Sequence, residues 1–155
     1  MRCGAIVIAT LRVSLSAFAA DPFVGTWKPT NVARWKLSPG ARERRKSELI
    51  TFESVGKDQL RQTVTTLDRK VTNATNTQPQ VWLVDGKEHK SDEGFTSKAE
   101  RIDLGHFLTT ALSSKGRAVF DYVVSEDEKT LTLTRKGTGL TSGRPLDELL
   151  VYEKQ

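Results

Sequence analysis

Cysteine is almost missing from this chain: among its 155 residues the one cysteine is Cys3. Beyond that position there is no disulfide to form, no thiolate nucleophile and no sulfur ligand. Histidine is nearly as scarce, with only His89 and His106. A protein metal site takes about three or four well-spaced ligands, and neither histidine stands in such a group, so neither a metal nor another cofactor is expected. No Gly-x-Ser-x-Gly elbow presents a serine nucleophile. With no acid–base constellation in view either, an enzyme is not expected. Long apolar runs are also lacking. The N-terminus is the longest, and Arg12 interrupts it where a bilayer-spanning helix of about 20 apolar residues would need hydrocarbon, so no transmembrane segment is expected.

The same N-terminus carries a different pattern. Arg2 forms a short positive region, Gly4 to Leu11 and Val13 to Phe18 are apolar or small, and Ala17-Phe18-Ala19 offers small residues to a signal peptidase. That order is the pattern of a cleavable secretory leader, expected over residues 1–20, with residues 21–155 as one mature domain. An N-terminal helix or strand of the domain is the other reading of the segment. Cys3 lies too early to become the lipid-modified first residue of a mature chain. Export without disulfides suits a bacterial periplasm, so a periplasmic or secreted bacterial location is expected. Losing the leader removes Arg2 and Arg12 and no acids, so 24 basic residues become 22 against 19 acidic, a formal charge of +3. No clustered basic face with base-reading side chains accompanies it, and nucleic acid is not an expected partner.

The mature stretch reads as strands. Phe23-Val24-Gly25-Thr26-Trp27-Lys28 places Phe23, Gly25 and Trp27 on one face by the period of two. Glu48 to Ser54 alternates with Ile50 and Phe52 on one side, and Leu60 to Leu67 is rich in Thr and Val. Val71 to Gln80 reads as a loose edge or loop. Val81-Trp82-Leu83-Val84 runs into Asp85-Gly86, a pair that favours a hairpin turn. Five further strand-like segments follow: Arg101 to Asp103, His106 to Leu112, Ala118 to Val124, Thr130 to Arg135 and Leu146 to Glu153. Short strands between regular turn signals predict an antiparallel meander. Hiding every edge favours closure. The expected fold is therefore an all-β, up-and-down barrel of about eight to ten strands.

Two end motifs carry a resemblance. Phe23-x-Gly25-x-Trp27-Lys28 resembles the opening of lipocalins and intracellular fatty-acid-binding proteins, together the calycins. Val151-Tyr152-Glu153-Lys154 resembles the closing strand of the fatty-acid-binding group. With Lys129-Thr-Leu-Thr-Leu-Thr134, the chain also looks like small exported bacterial proteins of unassigned function that begin Asp-Pro-Phe-x-Gly-Thr-Trp and end Tyr-Glu-Lys-Gln. The resemblance implies a lipocalin-like barrel whose first and last strands meet, with residues 32–47 over or beside the mouth. It departs at one place. Fatty-acid-binding proteins usually hold a carboxylate with Arg-x-Tyr on the final strand, and here the pair is Leu150-x-Tyr152.

The candidate ligand contacts are Trp27, Trp35, Tyr122, Arg135, Leu150 and Tyr152. Trp27 reads first as a core plug, with Gly25 leaving room for close backbone approach. Tyr122 shares a face with Phe120 and Val124, opposite Asp121, and the apolar face is expected inside. Arg135, in line with Leu131 and Leu133, is a possible replacement cation whose ordinary fate is a strand end in water. Trp35, an aromatic in a polar loop, suggests a lid. The basic run Arg42 to Lys46 reads as a solvated loop. The leading expectation is a monomeric, exported barrel that binds a small hydrophobic or amphipathic molecule without catalysis. The alternative is a fully packed barrel serving as an envelope interaction or structural module.

Overall fold

The computed structural model describes residues 20–30, 36–37, 48–66, 75–76, 80–91 and 94–155. Residues 1–19 of the expected leader, Trp35 and the basic run Arg42 to Lys46 lie outside the described residues. Within them, alternation of apolar and polar side chains produces strands: β1 (Gly25–Pro29), β2 (Glu48–Gly56), β3 (Gln59–Thr66), β4 (Thr75–Asn76), β5 (Gln80–Leu83), β6 (Asp85–Lys90), β7 (Thr96–Asp103), β8 (His106–Ser113), β9 (Gly116–Val124), β10 (Thr130–Thr138) and β11 (Pro145–Lys154). All neighbours are antiparallel, in the order β4-β3-β2-β1-β11-β10-β9-β8-β7-β6, with β5 also on β3. The first and last long strands meet as expected, with Trp27 opposite Lys154 and Pro29 opposite Tyr152.

Closure comes from one stretch of chain. Strands β5 and β6 are separated only by Val84. The first pairs with β3, Trp82 opposite Leu60, and the second with β7, His89 opposite Ser97. The run from Gln80 to Lys90 thus crosses from one edge of the sheet to the other and turns it into a nearly closed barrel. This corrects the expectation of a hairpin at Asp85-Gly86. The chain does not reverse there. The register shifts between Asp85 and Glu88, and Gly86 supplies φ +72°. Such an extra residue with a glycine at positive φ is a β-bulge. The side chain of Asp85 fastens it, accepting from the backbone N–H of Lys87 at 2.9 Å and pairing with His89 Nε2 at 3.0 Å.

One end of the barrel is packed solid. Phe23, Trp27, Phe52, Phe107, Leu60 and Leu131 are all essentially inaccessible to solvent. The phenyl rings of Phe23 and Phe107 meet edge to face at 4.7 Å, and Tyr122 stacks on Phe107 at 4.4 Å. Phe23 reaches this place because the chain before β1 is tied down: Arg101 Nη2 donates to Asp21 Oδ2 at 2.6 Å. The Trp27 indole donates to the Phe23 carbonyl at 2.9 Å, so its single polar atom is satisfied within the plug. Gly25 has a more specific reason than close backbone approach. Its φ is +136°, and a Cβ there would lie 3.0 Å from the stem of Lys154. That lysine crosses Gly25 to place its ammonium 5.2 Å above the Trp27 ring and to donate to the Pro22 carbonyl. The opening motif and the closing Tyr-Glu-Lys are therefore halves of one lock.

Candidate ligand cavity

The opposite half of the barrel is hollow. The period of two points alternate residues inward: Ile50 from β2, Gln62 and Val64 from β3, Phe120 and Tyr122 from β9, Leu133 and Arg135 from β10, and Tyr152 from β11. These residues, with Trp82, Phe95, Ala111 and Leu140, line a cavity of about 610 Å³. Ligand pockets typically occupy about 300–1,000 Å³, with a mainly apolar wall and a few placed polar groups. Glu48, Gln80, Ser91, Ser97 and Thr141 complete the lining towards the end where β2 and β5 begin and β6 finishes. Both described flanks of the β1–β2 connection are at this end. Lys36 pairs with Leu149 of β11, Leu37 packs against the core, and Glu48 lines the cavity.

The polar groups on the wall form two sets. In the first, Gln62 is 8% exposed. Its Oε1 accepts from the Trp82 indole at 2.8 Å and from the Tyr122 hydroxyl at 3.4 Å. An indole N–H can only donate, so the atom facing Trp82 is the amide oxygen and the orientation of the amide is fixed. In the second set, Arg135 Nη1 donates to Glu148 Oε2 at 3.1 Å, and the guanidinium lies 5.2 Å from the centre of the Phe120 ring. The Glu148 side chain is 5% exposed and that of Arg135 20%. Nε of Arg135 is buried without an acceptor.

The sequence candidates are distributed unevenly around this space. Tyr122, Arg135 and Tyr152 come together on the wall. Trp27 belongs to the packed end, away from the lining, and Leu150 is fully buried in the core behind it. Trp35 lies outside the described residues. Arg135 faces the cavity rather than ending its strand in water. Gln62, Trp82 and Glu148 were not among the candidates. Glu148 carries a readable signal: it stands two residues before Leu150 and four before Tyr152, so one inward face holds all three. Gln62 and Trp82 belong to neighbouring strands whose register, Gln62 opposite Gln80 and Leu60 opposite Trp82, exists only after closure. Both histidines have simpler partners: His106 meets Asp121 across β8 and β9 at 2.6 Å, on the outer face, and His89 meets Asp85.

No family model matches the sequence, and no curated protein matches it. Solved structures do. The Schistosoma mansoni fatty acid binding protein, in complex with arachidonic acid, superposes with a TM-score of 0.57 at 16% identity, over 86% of this chain and 96% of that one. The fold is a calycin-like barrel. A mutant of the fluorescent protein UnaG shares it, with a TM-score of 0.55 at 12% identity and coverage of 86% and 96%. So does a secretory abundant heat soluble protein from Ramazzottius varieornatus, at 0.53, 14% identity, 87% and 96%. Identities this low speak for the fold alone. Within this calycin-like barrel the described final strand turns Glu148, Leu150 and Tyr152 inward, and the wall arginine sits on β10. Among the described residues no helix is long and apolar enough to cross a membrane.

Proposed function

We propose that this chain carries a small hydrophobic or amphipathic molecule in the open half of its barrel, without chemistry, after export to a periplasmic or extracellular space. The observation that carries the reading is the cavity of about 610 Å³, walled by Ile50, Val64, Phe120, Leu133 and Tyr152 above a solid aromatic floor. A barrel built only for shape would fill that volume, because empty interior forfeits dispersion contacts. This favours a carrier over the packed interaction module. Binding would draw on burial of ligand surface, about 25 cal/mol per Å² of apolar area removed from water. The fatty-acid complex of the Schistosoma mansoni protein supports the same use of the fold. The leader-like residues 1–20 support export.

Native mass spectrometry of the mature protein from its own host, beside the denatured sample, tests the reading. A reproducible excess mass released on denaturation is expected. The bare polypeptide mass, together with no displacement-sensitive binding of an environment-sensitive apolar dye, would overturn it. Ala111→Phe, which places a ring in the cavity, should abolish dye binding while leaving the far-ultraviolet circular dichroism unchanged. N-terminal sequencing of the same material should begin near Ala20 or Asp21; an intact Met1 in the cell envelope would overturn export by cleavage.

A further inference from the structure

The outer face of β7, β8 and β9 shows water more apolar side chain than the rest of the described barrel. Ala99, Phe107, Ala111, Ala118 and Tyr122 are buried in the interior, so the residues between them point outward. Six large apolar side chains are exposed among the described residues, and four of them belong here: Ile102, Leu112 and Val123 on the strands and Leu104 on the turn from β7 to β8. A groove of about 450 Å³ lies on the same face, lined by Glu88, Lys98, Glu100, Leu108, Leu112 and Arg117.

The register sorts these outward side chains into rungs across the strands. One rung holds Lys98, Thr110, Val119 and Lys136. The next, towards the packed end, holds Glu100, Leu108, Asp121 and Thr134. Thr96, Leu112 and Arg117 stand beyond the basic rung, and His106, Val123 and Thr132 beyond the acidic one. Glu88 on β6 is the exception, an acid opposite Lys98 at the margin of the face. Lys98 Nζ already lies 2.7 Å from Glu100 Oε2, with 41% and 47% of the two side chains exposed. So wet a pair contributes little to a single chain. Asp121 is joined by His106.

We propose that this face binds a second copy of the chain, in place of the monomer expected from the sequence, about a two-fold axis that runs across the strands between the basic and acidic rungs. The axis lies in the plane of contact, and each strand lies antiparallel over its own copy. Such a contact is isologous, so the patch must complement itself. Lys98 then faces the partner's Glu100 and Glu100 the partner's Lys98, four charges alternating in sign around the axis. Val119 faces the partner's Asp121, Leu112 the partner's His106, and Arg117 the partner's Val123, so no like charges meet over the three strands. An axis along the strands would instead set each rung on itself, Lys98 on Lys98 and Glu100 on Glu100. The charge pattern selects the transverse axis. Taking the alternating charges out of water strengthens their attraction. The curvature of the barrel keeps the contact small, in the weak and transient class. The proposal does not depend on the carrier reading: the two cavities open at opposite ends of the pair.

Sedimentation velocity on the chain purified from its own host tests this. A monomer–dimer equilibrium with a Kd of about 1–100 μM is expected. Lys98→Glu gathers four carboxylates at the axis, and Glu100→Lys four ammonium groups; each should weaken the dimer at least about ten-fold. An equimolar mixture of the two variants restores opposite charges and should dimerise at least as well as the wild type. A wild type that stays monomeric at about 500 μM overturns the proposal. So does a dimer that neither substitution weakens, or a mixture that stays monomeric while both variants keep the wild-type circular dichroism. Carbodiimide cross-linking of mixed ¹⁴N- and ¹⁵N-labelled wild type decides the matter without variants. An amide between Lys98 of one copy and Glu100 of the other is expected, and a cross-linked dimer lacking that link overturns the axis.

Discussion

Removing one phenyl ring from the floor of the barrel and one from the wall should cost very different amounts, although the chemical change is the same. Phe107 is fully buried, stacked on Tyr122 at 4.4 Å and edge-on to Phe23 at 4.7 Å and Phe52 at 5.9 Å. Phe107→Ala deletes a ring whose space no neighbour can reach without breaking those contacts. A void on the order of 100 Å³ at ~24 cal/mol per Å³ contributes about 2.4 kcal/mol. The lost transfer energy brings the total to about 3–5 kcal/mol. Phe120 is only partly buried and already borders the cavity. Phe120→Ala enlarges an existing space instead of opening a new one, so the void term nearly vanishes. What remains is about half of a phenylalanine's burial, roughly 1 kcal/mol, and the contact with Arg135, roughly 0.5–1 kcal/mol. Urea titration followed by tryptophan fluorescence should therefore give a loss for Phe107→Ala at least about twice that for Phe120→Ala. In thermal scans the floor variant should melt more than ~10 °C below the parent. Equal losses, or a loss below about 1 kcal/mol for Phe107→Ala, would refute the division into solid floor and hollow wall.

Two further outcomes follow from the geometry. Gly25→Ala places a β-carbon at φ +136° against the Lys154 stem, and should cost at least about 1–2 kcal/mol in the same urea titration; a neutral substitution would show that the lysine lock is dispensable. The carboxyl of Asp85 is held below its ordinary value of 3.8, first by the hydrogen bond with His89 and then by the N–H of Lys87. A carboxylate lowered by folding stabilises the native state above its unfolded value and loses that contribution as pH falls through the folded value. Urea midpoints measured from about pH 5 down to about pH 2 should therefore fall more steeply for the parent than for Asp85→Asn, and superimposable acid limbs would contradict the bulge contact.

What was legible in the sequence was the part governed by the period of two and by the ends. Strands β8 to β11 are short alternating runs between Gly, Ser, Asp and Lys turns, and local pattern alone sets their limits. Tyr122 and Asp121 sort to opposite faces for the same reason. The pairing of β1 with β11 was legible only through the resemblance, since no local rule joins residues so far apart in the chain. The Asp85-Gly86 pair misled because the same dipeptide chemistry serves a two-residue turn and a bulge. Which of the two forms depends on whether the following segment folds back on β5 or finds β7, and that is a tertiary choice. The cavity chemistry escaped for a related reason. Gln62, Trp82 and Tyr122 come from β3, β5 and β9, and nothing in their local sequence announces a shared hydrogen-bond network. Arg135 was legible as a candidate contact but not as a paired one, because its partner, Glu148, is meaningful only once β10 and β11 are in register.

The lock between the two ends of the chain also governs when the protein can fold. β1 obtains its second neighbour, and Trp27 its lysine cover, only from the ten residues of β11. Contacts of such long sequence separation are slow to form, because the loop entropy must be spent before any stabilisation returns. β1 and β10 have nothing to close upon until β11 is made, and a chain lacking that single strand leaves both with a bare edge. The barrel is thus a timer as well as a container: it stays open until β11 is present and shuts when that strand docks between β1 and β10.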